Sequence, residues 1–316
     1  MTKKPGDHAF TTDGLYGTVV EPTYSGALSF MRRKYTRDLK GVDVAVSGVP
    51  LDMATSNRPG ARFGPSAIRK SSAQLSWGQP FPWSFDPLER LAVIDYGDCY
   101  FDSGLPEQII GDIVAHAKTI LDAGVMMLTL GGDHFISYPL LKAHHAVHGG
   151  LALIHFDAHS DTWSEDEKRL DHGTMFYHAA KEGLIVPSHS VQIGIRTHND
   201  EAHGFTIVDA NRVHDVRPEE IAAEIRKVVG ERKAYVTFDI DCLDPSYAPG
   251  TGTPVIGGLT TIQALRILRG LKDLNLVGMD LTEVAPAYDA GEITSLAGAT
   301  LALEFLCLIA SKKPAR

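Results

Sequence analysis

The chain has 316 residues, 44% of them hydrophobic and 22% charged, which is the composition of an ordinary globular protein. Its formal net charge of −9 argues against nucleic acid or an anionic membrane as a partner. The cysteines Cys99, Cys242 and Cys307 are too few and too far apart for a disulfide framework. Together with an N-terminus that lacks an apolar signal segment, they predict a reduced, cytoplasmic chain.

From about residue 41 onward, short apolar runs alternate with helical patterns. The predicted strands are 42–49, 91–97, 125–131, 151–157, 190–196, 205–209, 234–241 and 276–281. The predicted helices between them are 64–75, 106–123, 137–148, 173–182, 217–229, 260–270 and 294–310. Several strands are apolar throughout, as strands buried on both faces should be. The alternation therefore predicts an α/β fold with a mostly parallel sheet of eight strands and helices on both faces.

Two segments stand apart from this alternation. Residues 1–40 are rich in Gly, Pro and Tyr and are predicted to form an N-terminal arm, whereas 41–316 are predicted to form a single catalytic domain around one core. The apolar stretch 296–310 is too short to cross a bilayer and carries Glu304. We expect it to be a buried helix.

Acidic and imidazole side chains gather where four of the predicted strands end. In parallel α/β sheets the carboxyl ends of the strands are where sites form. Neither Lys nor Arg occurs in the four terminal motifs, GGDH, DAHSD, FDID and DLTE. In DAHSD the polar residues are two apart, so in an extended chain they point the same way. The candidates are Asp133, His134, Asp157, His159, Asp161, Asp239, Asp241, Asp280 and Glu283.

A charge count indicates what this set could bind. Desolvating a carboxylate costs several kcal/mol or more, and the motifs offer no basic residue to compensate. Two divalent ions would balance the charges of the four strongest carboxylate candidates, with two neutral imidazoles completing the ligand set. The six residues are His134, Asp157, His159, Asp161, Asp239 and Asp241. Such oxygen and nitrogen ligands suit Mn²⁺, although Zn²⁺, Co²⁺ and Ni²⁺ remain open.

Each motif taken alone has a simpler explanation. DAHSD could be a polar loop that caps a helix, and the FDID aspartates could belong to a turn. His134 could be a hydrogen-bonded core histidine. The four motifs together, on separate strands and without a basic partner, favour a functional site.

The motifs resemble those of the ureohydrolase family, which includes arginases and agmatinases, and the wording is closest to bacterial agmatinases. The resemblance runs through most of the chain. It is carried by GVPLDMATSNRPGARFGPSAIR (48–69), GGDHF, HFDAHSDT, DHGTMFYHA, FDIDCLDPSYAPGTGTPVIGGLT (238–260) and MDLTEVAPAYD (279–289). It implies a three-layer α/β/α sandwich around an eight-stranded parallel sheet, and a homo-oligomer that is a trimer or a hexamer.

The resemblance also implies a site with two Mn²⁺ ions per subunit. One ion would take His134, Asp157, Asp161 and Asp239, and the other His159, Asp157, Asp239 and Asp241. A metal-bridging hydroxide would attack the guanidinium carbon of a cationic substrate. Glu283 would orient the guanidinium group, Asp161 would pass a proton to the leaving amine, and His172 would relay protons to or from solvent.

The expected substrate is agmatine, which would yield putrescine and urea. Where arginases carry a polar loop for the amino-acid end of arginine, this chain has TWSEDEKRLD (162–171). Trp163 stands at the expected Asn position, and Glu165, Asp166 and Glu167 would repel an α-carboxylate but attract a distal ammonium group. The acidic residues could also be an ordinary solvated loop. Guanidinobutyrate, guanidinopropionate and guanidine remain the nearest alternative substrates.

Three rival functions remain open at the level of sequence. The first is a non-catalytic relative, which would be expected to have lost ligands, whereas all six positions are occupied. The second is a zinc deacetylase, which would need only one metal and not His134 or Asp241. The third is a two-metal phosphatase, which would need Lys or Arg in the motifs to hold phosphate.

Overall fold

A computed structural model describes residues 6–53, 55–164 and 168–314. Within these described residues, nine strands form one sheet in which every pairing is parallel. The strands are β1 (Lys34–Tyr35), β2 (Val44–Val49), β3 (Val93–Asp98), β4 (Met126–Gly131), β5 (Ala152–Phe156), β6 (Val191–Ile193), β7 (Thr206–Val208), β8 (Lys233–Asp239) and β9 (Asn275–Thr282). Their order across the sheet is β1-β3-β2-β4-β9-β8-β5-β6-β7.

Helices cover both faces of this sheet. They are α1 (His8–Thr11), α2 (Gly64–Ser72), α3 (Pro87–Arg90), α4 (Ile109–Asp122), α5 (Ser137–His148), α6 (Met175–Lys181), α7 (Ala210–Asp215), α8 (Pro218–Val229), α9 (Thr261–Arg269) and α10 (Ile293–Ala310). One apolar cluster joins the sheet to α2, α8, α9 and α10, and a second joins it to α4, α5 and α6. Alternate residues of β2 enter different clusters, since Val44 belongs to the first and Ala45 to the second. The predicted three-layer sandwich is confirmed.

The sheet has one strand more than predicted. All eight predicted strands are present, and the additional strand, β1, lies in the segment predicted as an arm. It pairs Lys34 with Ile94 at the edge of the sheet. Two residues are too few to show an alternating pattern, so this strand has no signal in the sequence. Just before it, Phe30 is buried and donates its backbone N–H to Asp95 Oδ2 at 2.7 Å.

The seven predicted helices are all found, with bounds that shift by a few residues. Helix α9 begins with a capping box: Thr260 accepts the backbone N–H of Gln263, whose side chain accepts the N–H of Thr260. This capping box satisfies two backbone donors that the first turn leaves unpaired. The short helices α1, α3 and α7 were not predicted, because four to six residues are too few for a helical period.

The helix α10 is long and apolar enough to cross a bilayer, the one such helix in the described part of the chain. However, 78% of its residues are buried inside the protein. Its single carboxylate, Glu304, is 3% exposed and receives a hydrogen bond from Arg269 on α9. The predicted buried helix is therefore confirmed.

Candidate metal centre

The four strands that end in polar motifs are neighbours in the sheet. Their order is β4-β9-β8-β5, although they come from distant parts of the sequence. Since the strands are parallel, their carboxyl ends meet at one edge. The structure therefore brings the six predicted ligands together there, all of them at least largely buried.

The first group of donors surrounds His134. The ring nitrogen Nδ1 lies 2.9 Å from Asp157 Oδ2, 2.9 Å from Asp161 Oδ2 and 3.2 Å from Asp239 Oδ2. Yet this buried nitrogen has no partner with hydrogen-bond geometry among the residues that the structure describes. The other ring nitrogen, Nε2, lies 2.7 Å from Thr237 Oγ1. A nitrogen that faces three carboxylate oxygens without bonding to any of them fits a cation shared between them.

The second group of donors surrounds His159. Its Nδ1 lies 3.1 Å from Asp241 Oδ2 and 3.3 Å from Asp157 Oδ1. Asp157 therefore directs one oxygen to each group and lies between them. Asp239 directs Oδ2 to the first group, while its Oδ1 accepts the backbone N–H of Asp241 at 2.8 Å. The spacing fits two cations that share Asp157.

The electrostatics of the cluster favour cations as well. Burial raises the pKa of Asp239 well above its usual value, and the nearby carboxylates of Asp241 and Asp157 raise it further. Burial and Asp157 also raise the pKa of Asp161 and of Asp241. Burial alone would raise the pKa of Asp157, but the imidazole groups of His155, His134 and His159 beside it lower it well below its usual value. Divalent cations would relieve the mutual repulsion of these carboxylates.

Two residues of the site hold an unusual backbone conformation. Asp161 has φ 52° and Glu283 has φ 63°, both in the left-handed region that non-glycine residues seldom adopt. Such residues persist where the surrounding structure holds them, and they cluster at functional sites. A 3.0 Å hydrogen bond from the backbone N–H of Phe176 to the carbonyl oxygen of Asp161 helps to hold Asp161 in this conformation.

The predicted catalytic residues His172 and Glu283 face each other across the site. His172 Nδ1 lies 3.8 Å from Glu283 Oε1, and that oxygen accepts the backbone N–H of His134 at 2.8 Å. Burial would lower the pKa of His172, but its interaction with Glu283 raises it to about 9. The histidine can therefore carry a proton near neutral pH beside a carboxylate that can bind a cationic group.

A small cavity of about 120 Å³ opens onto these donors. Its lining comprises Ser56, His134, His159, Asp161, Trp163, His172, Gly173, Asp239 and Thr253. Trp163 is one of these lining residues, and its ring centroid lies 6.3 Å from that of His159. A second cavity of about 330 Å³ shares four lining residues with the first, namely Ser56, Trp163, His172 and Gly173. Glu165, Asp166 and Glu167, predicted to select the substrate, lie outside the described residues.

The sequence did not single out several residues behind the donors. The sequence places His155 only in a core strand, yet its Nε2 lies 2.7 Å from Asp157 Oδ2. Thr237 touches His134 and also donates to Asp280 Oδ1 at 2.6 Å. Asp280, noted as one of the acidic residues at the strand ends, lies buried behind the ligands. The sequence does offer one signal for residues such as His155 and Thr237. Each is a polar residue inside an apolar strand, two positions before a candidate ligand.

The fold and the cluster together define a class: a parallel α/β protein with a buried histidine–aspartate centre, fit for metal ions, at the carboxyl edge of its sheet. Comparison with known proteins gives the family. The sequence profile of the arginase family matches residues 42–308. The chain belongs to the arginase family.

Relatives of known name cover nearly the whole chain. The agmatinase of Chromobacterium violaceum is 59% identical over 312 residues, covering 98% of this chain and 97% of that protein. The crystal structure of a hypothetical agmatinase from Burkholderia thailandensis has a TM-score of 0.95 and 58% identity, covering 97% of this chain and 98% of that one. Proclavaminate amidino hydrolase from Streptomyces clavuligerus has a TM-score of 0.85 and 40% identity, covering 92% and 99%.

Proposed function

We propose that the protein is a metal-dependent amidinohydrolase that converts agmatine and water to putrescine and urea. The observation that carries this proposal is the buried cluster in which His134 Nδ1 faces three carboxylate oxygens within 3.2 Å while Glu283 lies beside it. The choice of agmatine is supported by the names of relatives that are 54–59% identical over most of the chain.

The proposed cofactor is a pair of Mn²⁺ ions per subunit. One ion would be held by His134, Asp157, Asp161 and Asp239, and the other by His159, Asp157, Asp239 and Asp241. The contacts around His134 and His159 support these two sets. When bound, such a metal pair lowers the pKa of a water molecule and supplies a nucleophile near neutral pH.

The side chains around the cluster would orient the substrate and move protons. A guanidinium carbon is a poor electrophile, so the group must be held close to the nucleophile in a fixed orientation. Glu283 would accept hydrogen bonds from the guanidinium N–H groups. Asp161 would pass a proton to the leaving amine, and His172 would exchange protons with solvent, since it lies within the cavity.

We propose a single catalytic domain over residues 41–316, preceded by an N-terminal arm over 1–40. The predicted partners are the cationic guanidine substrate and other copies of the chain, in a trimer or a hexamer in the cytoplasm. Neither nucleic acid nor a membrane is expected as a partner.

The test is urea release by purified protein loaded with Mn²⁺, from agmatine, arginine and 4-guanidinobutyrate side by side. We expect agmatine to be preferred, and Asp157→Asn to release no urea above background. A preference for guanidinobutyrate would keep the chemistry and contradict the assignment of substrate. Urea from none of the three, with metal bound, would contradict the proposed reaction for these substrates. Loading with Co²⁺, Ni²⁺ or Zn²⁺ instead tests the choice of metal.

A further inference from the structure

A row of polar side chains crosses the sheet one step behind the metal-binding edge. In the register of the sheet, His155 on β5 lies between Gln192 on β6 and Thr237 on β8, and Thr237 lies beside Asp280 on β9. All four are buried, and none is more than 1% exposed. His155 precedes Asp157 by two residues, so the two side chains lie on the same face.

His155 connects Asp157 to a chain of hydrogen bonds. On one side, Nε2 lies 2.7 Å from Asp157 Oδ2. On the other, Nδ1 lies 3.1 Å from Gln192 Nε2, which also donates to the carbonyl oxygen of Ser160 at 2.6 Å. The chain therefore runs from a backbone carbonyl through two buried side chains to a carboxylate shared by both groups of donors.

The carbonyl group of Ser160 fixes the donor and the acceptor of every hydrogen bond in this series. A carbonyl oxygen can only accept, so the amide nitrogen of Gln192 must face it. The second hydrogen of that amide points to His155 Nδ1, which must accept. The hydrogen of the imidazole ring then resides on Nε2 and is donated to Asp157 Oδ2. With Nδ1 accepting and Nε2 protonated, neither nitrogen of His155 offers a lone pair to a metal.

The two oxygens of Asp157 are held by different donors. The backbone N–H of His159 donates to Oδ1 at 2.6 Å, and His155 holds Oδ2. One donor on each oxygen fixes the plane of the carboxylate, so that Oδ2 faces His134 and Oδ1 faces His159. Without His155, Oδ2 could rotate away from the first group.

We propose that His155 is a positioning residue of the metal centre, which orients Asp157 between the two groups of donors, and that Gln192 sets the tautomer of His155. The inference rests on the proposed function, since it takes Asp157 as a metal ligand. Residues that orient ligands in this way typically contribute a factor of about 10–100 to metal affinity.

The test is the Mn²⁺ affinity of the full chain, stripped of metal and titrated against a chromophoric chelator. We expect His155→Leu to lower the affinity about 10–100-fold. His155→Gln should restore most of it, because its amide N–H can take the place of Nε2–H. Gln192→Leu, which leaves His155 in place but frees its tautomer, should give an intermediate affinity.

The matched control is His144→Leu. His144 is also fully buried, and its Nδ1 lies 2.9 Å from the carbonyl oxygen of Leu140 rather than from a cluster carboxylate. We expect this variant to lower the melting temperature while its Mn²⁺ affinity stays at the wild-type value. His155→Leu with wild-type affinity, or His155→Gln as weak as His155→Leu, would overturn the proposal. If His155→Leu does not fold, Gln192→Leu decides: unchanged affinity overturns the proposal and reduced affinity supports it.

Urea release from agmatine by the same preparations separates this inference from the proposed function. Wild-type protein that binds Mn²⁺ but releases no urea would contradict the proposed function, and the affinities of the variants would still decide the role of His155. Wild-type protein that binds no Mn²⁺ would overturn both.

Discussion

Glu283 Oε1 accepts a 2.8 Å hydrogen bond from the backbone N–H of His134. Glu283 follows β9 and His134 follows β4, and these strands are neighbours in the sheet. In return, the backbone N–H of Glu283 donates to the carbonyl oxygen of Gly132 at 2.8 Å. The two bonds fix the proposed substrate-binding carboxylate relative to the proposed metal ligand, so the position of the guanidinium group is tied to the metal centre by the backbone.

Replacing Glu283 by Gln should remove the negative charge and keep the side chain in the same position. The amide oxygen can still accept the N–H of His134, but the negative charge facing the guanidinium group is lost. Hydrogen bonds to charged groups contribute about 1.5–3 kcal/mol, so we expect kcat/KM for agmatine to fall about 10–150-fold. Mn²⁺ content should not change. The measurements are steady-state kinetics and elemental analysis.

The control for this variant is Glu292→Gln. Glu292 also has a left-handed backbone, at φ 62°, but it pairs with Lys70 at the surface. Its kcat/KM should equal that of the wild-type protein. If Glu283→Gln retained full activity with agmatine, Glu283 would not be the guanidinium-binding residue.

The same substitution should change the titration of His172. Burial would lower the pKa of this histidine, and its interaction with Glu283 raises it to about 9. Removing the charge of Glu283 should therefore lower the pKa. It can be followed in metal-free protein by NMR of ¹³C-labelled histidine, with His172→Gln to assign the resonance. A pKa that is the same in the wild type and in Glu283→Gln would contradict the pairing.

The raised pKa of His172 makes the stability of the folded protein depend on pH. The folded-state pKa of about 9 lies above the ordinary value of 6.5, so the folded protein binds the proton more tightly than the unfolded chain. The pairing should stabilise the fold fully below pH 6.5 and lose this contribution as the pH rises through about 9. The difference in melting temperature between wild type and Glu283→Gln should shrink over that range.

Much of the site could be predicted because the polar residues interrupt strong apolar patterns. Asp157 and Asp239 follow runs that are buried on both faces of the sheet, so each marks the end of a strand. In a parallel sheet the ends of the strands share one edge, and this alone predicts that the candidates meet. The six proposed ligands could be chosen without the order of the strands, whereas the contact between His172 and Glu283 is seen only in the structure.

The roles of the residues behind the ligands depend on that order, which no local pattern encodes. His155 in LALIHFD looks like one polar residue in a core strand, and its role follows only when β6 and β8 are known to flank β5. Likewise, β9 comes last in the chain but lies between β4 and β8, which brings Asp280 behind Thr237 and His134. Neither neighbour is close in sequence.

Asp244 should stabilise the loop that follows the ligands of β8. Partial burial would raise its pKa, but hydrogen bonds from Ser246 and from the backbone N–H groups of Gly257 and Gly258 lower it to about 2. Because the folded-state pKa lies below the ordinary value of 3.8, the stabilisation is present above pH 3.8 and is lost as the pH falls through about 2. Asp244→Asn should therefore lower the melting temperature.

The amount by which Asp244→Asn melts below the wild-type protein should be constant from pH 7 down to about pH 4. It should shrink in more acidic buffer. Thermal unfolding followed by circular dichroism at several pH values measures it. Asp215→Asn, which removes a charge from an exposed residue, should leave the melting temperature nearly unchanged. If Asp244→Asn still melted below the wild-type protein by the same amount at the lowest pH, the charge of the carboxylate would not be the cause of the lower melting temperature.

The buried carboxylate of α10 depends on a partner from α9. Glu304 Oε2 accepts bonds from Arg269 Nε at 3.0 Å and from Trp83 Nε1 at 2.7 Å. Removing one partner of a buried ion pair costs about 3–5 kcal/mol, because it leaves the other charge uncompensated. The side chain of Arg269 is 18% exposed, so Arg269→Leu should cost about 3 kcal/mol, near the low end of that range.

The double variant Arg269→Leu/Glu304→Leu should recover most of that loss, because two apolar side chains can replace the pair inside the apolar layer. Chemical denaturation of the single and double variants gives the free energies of unfolding. Arg217→Leu, which breaks an exposed pair with Glu220, should leave the free energy of unfolding nearly unchanged, because solvent screens that pair. If the double variant were no more stable than Arg269→Leu, the loss would come from the packing of the arginine side chain and not from the unpaired charge of Glu304.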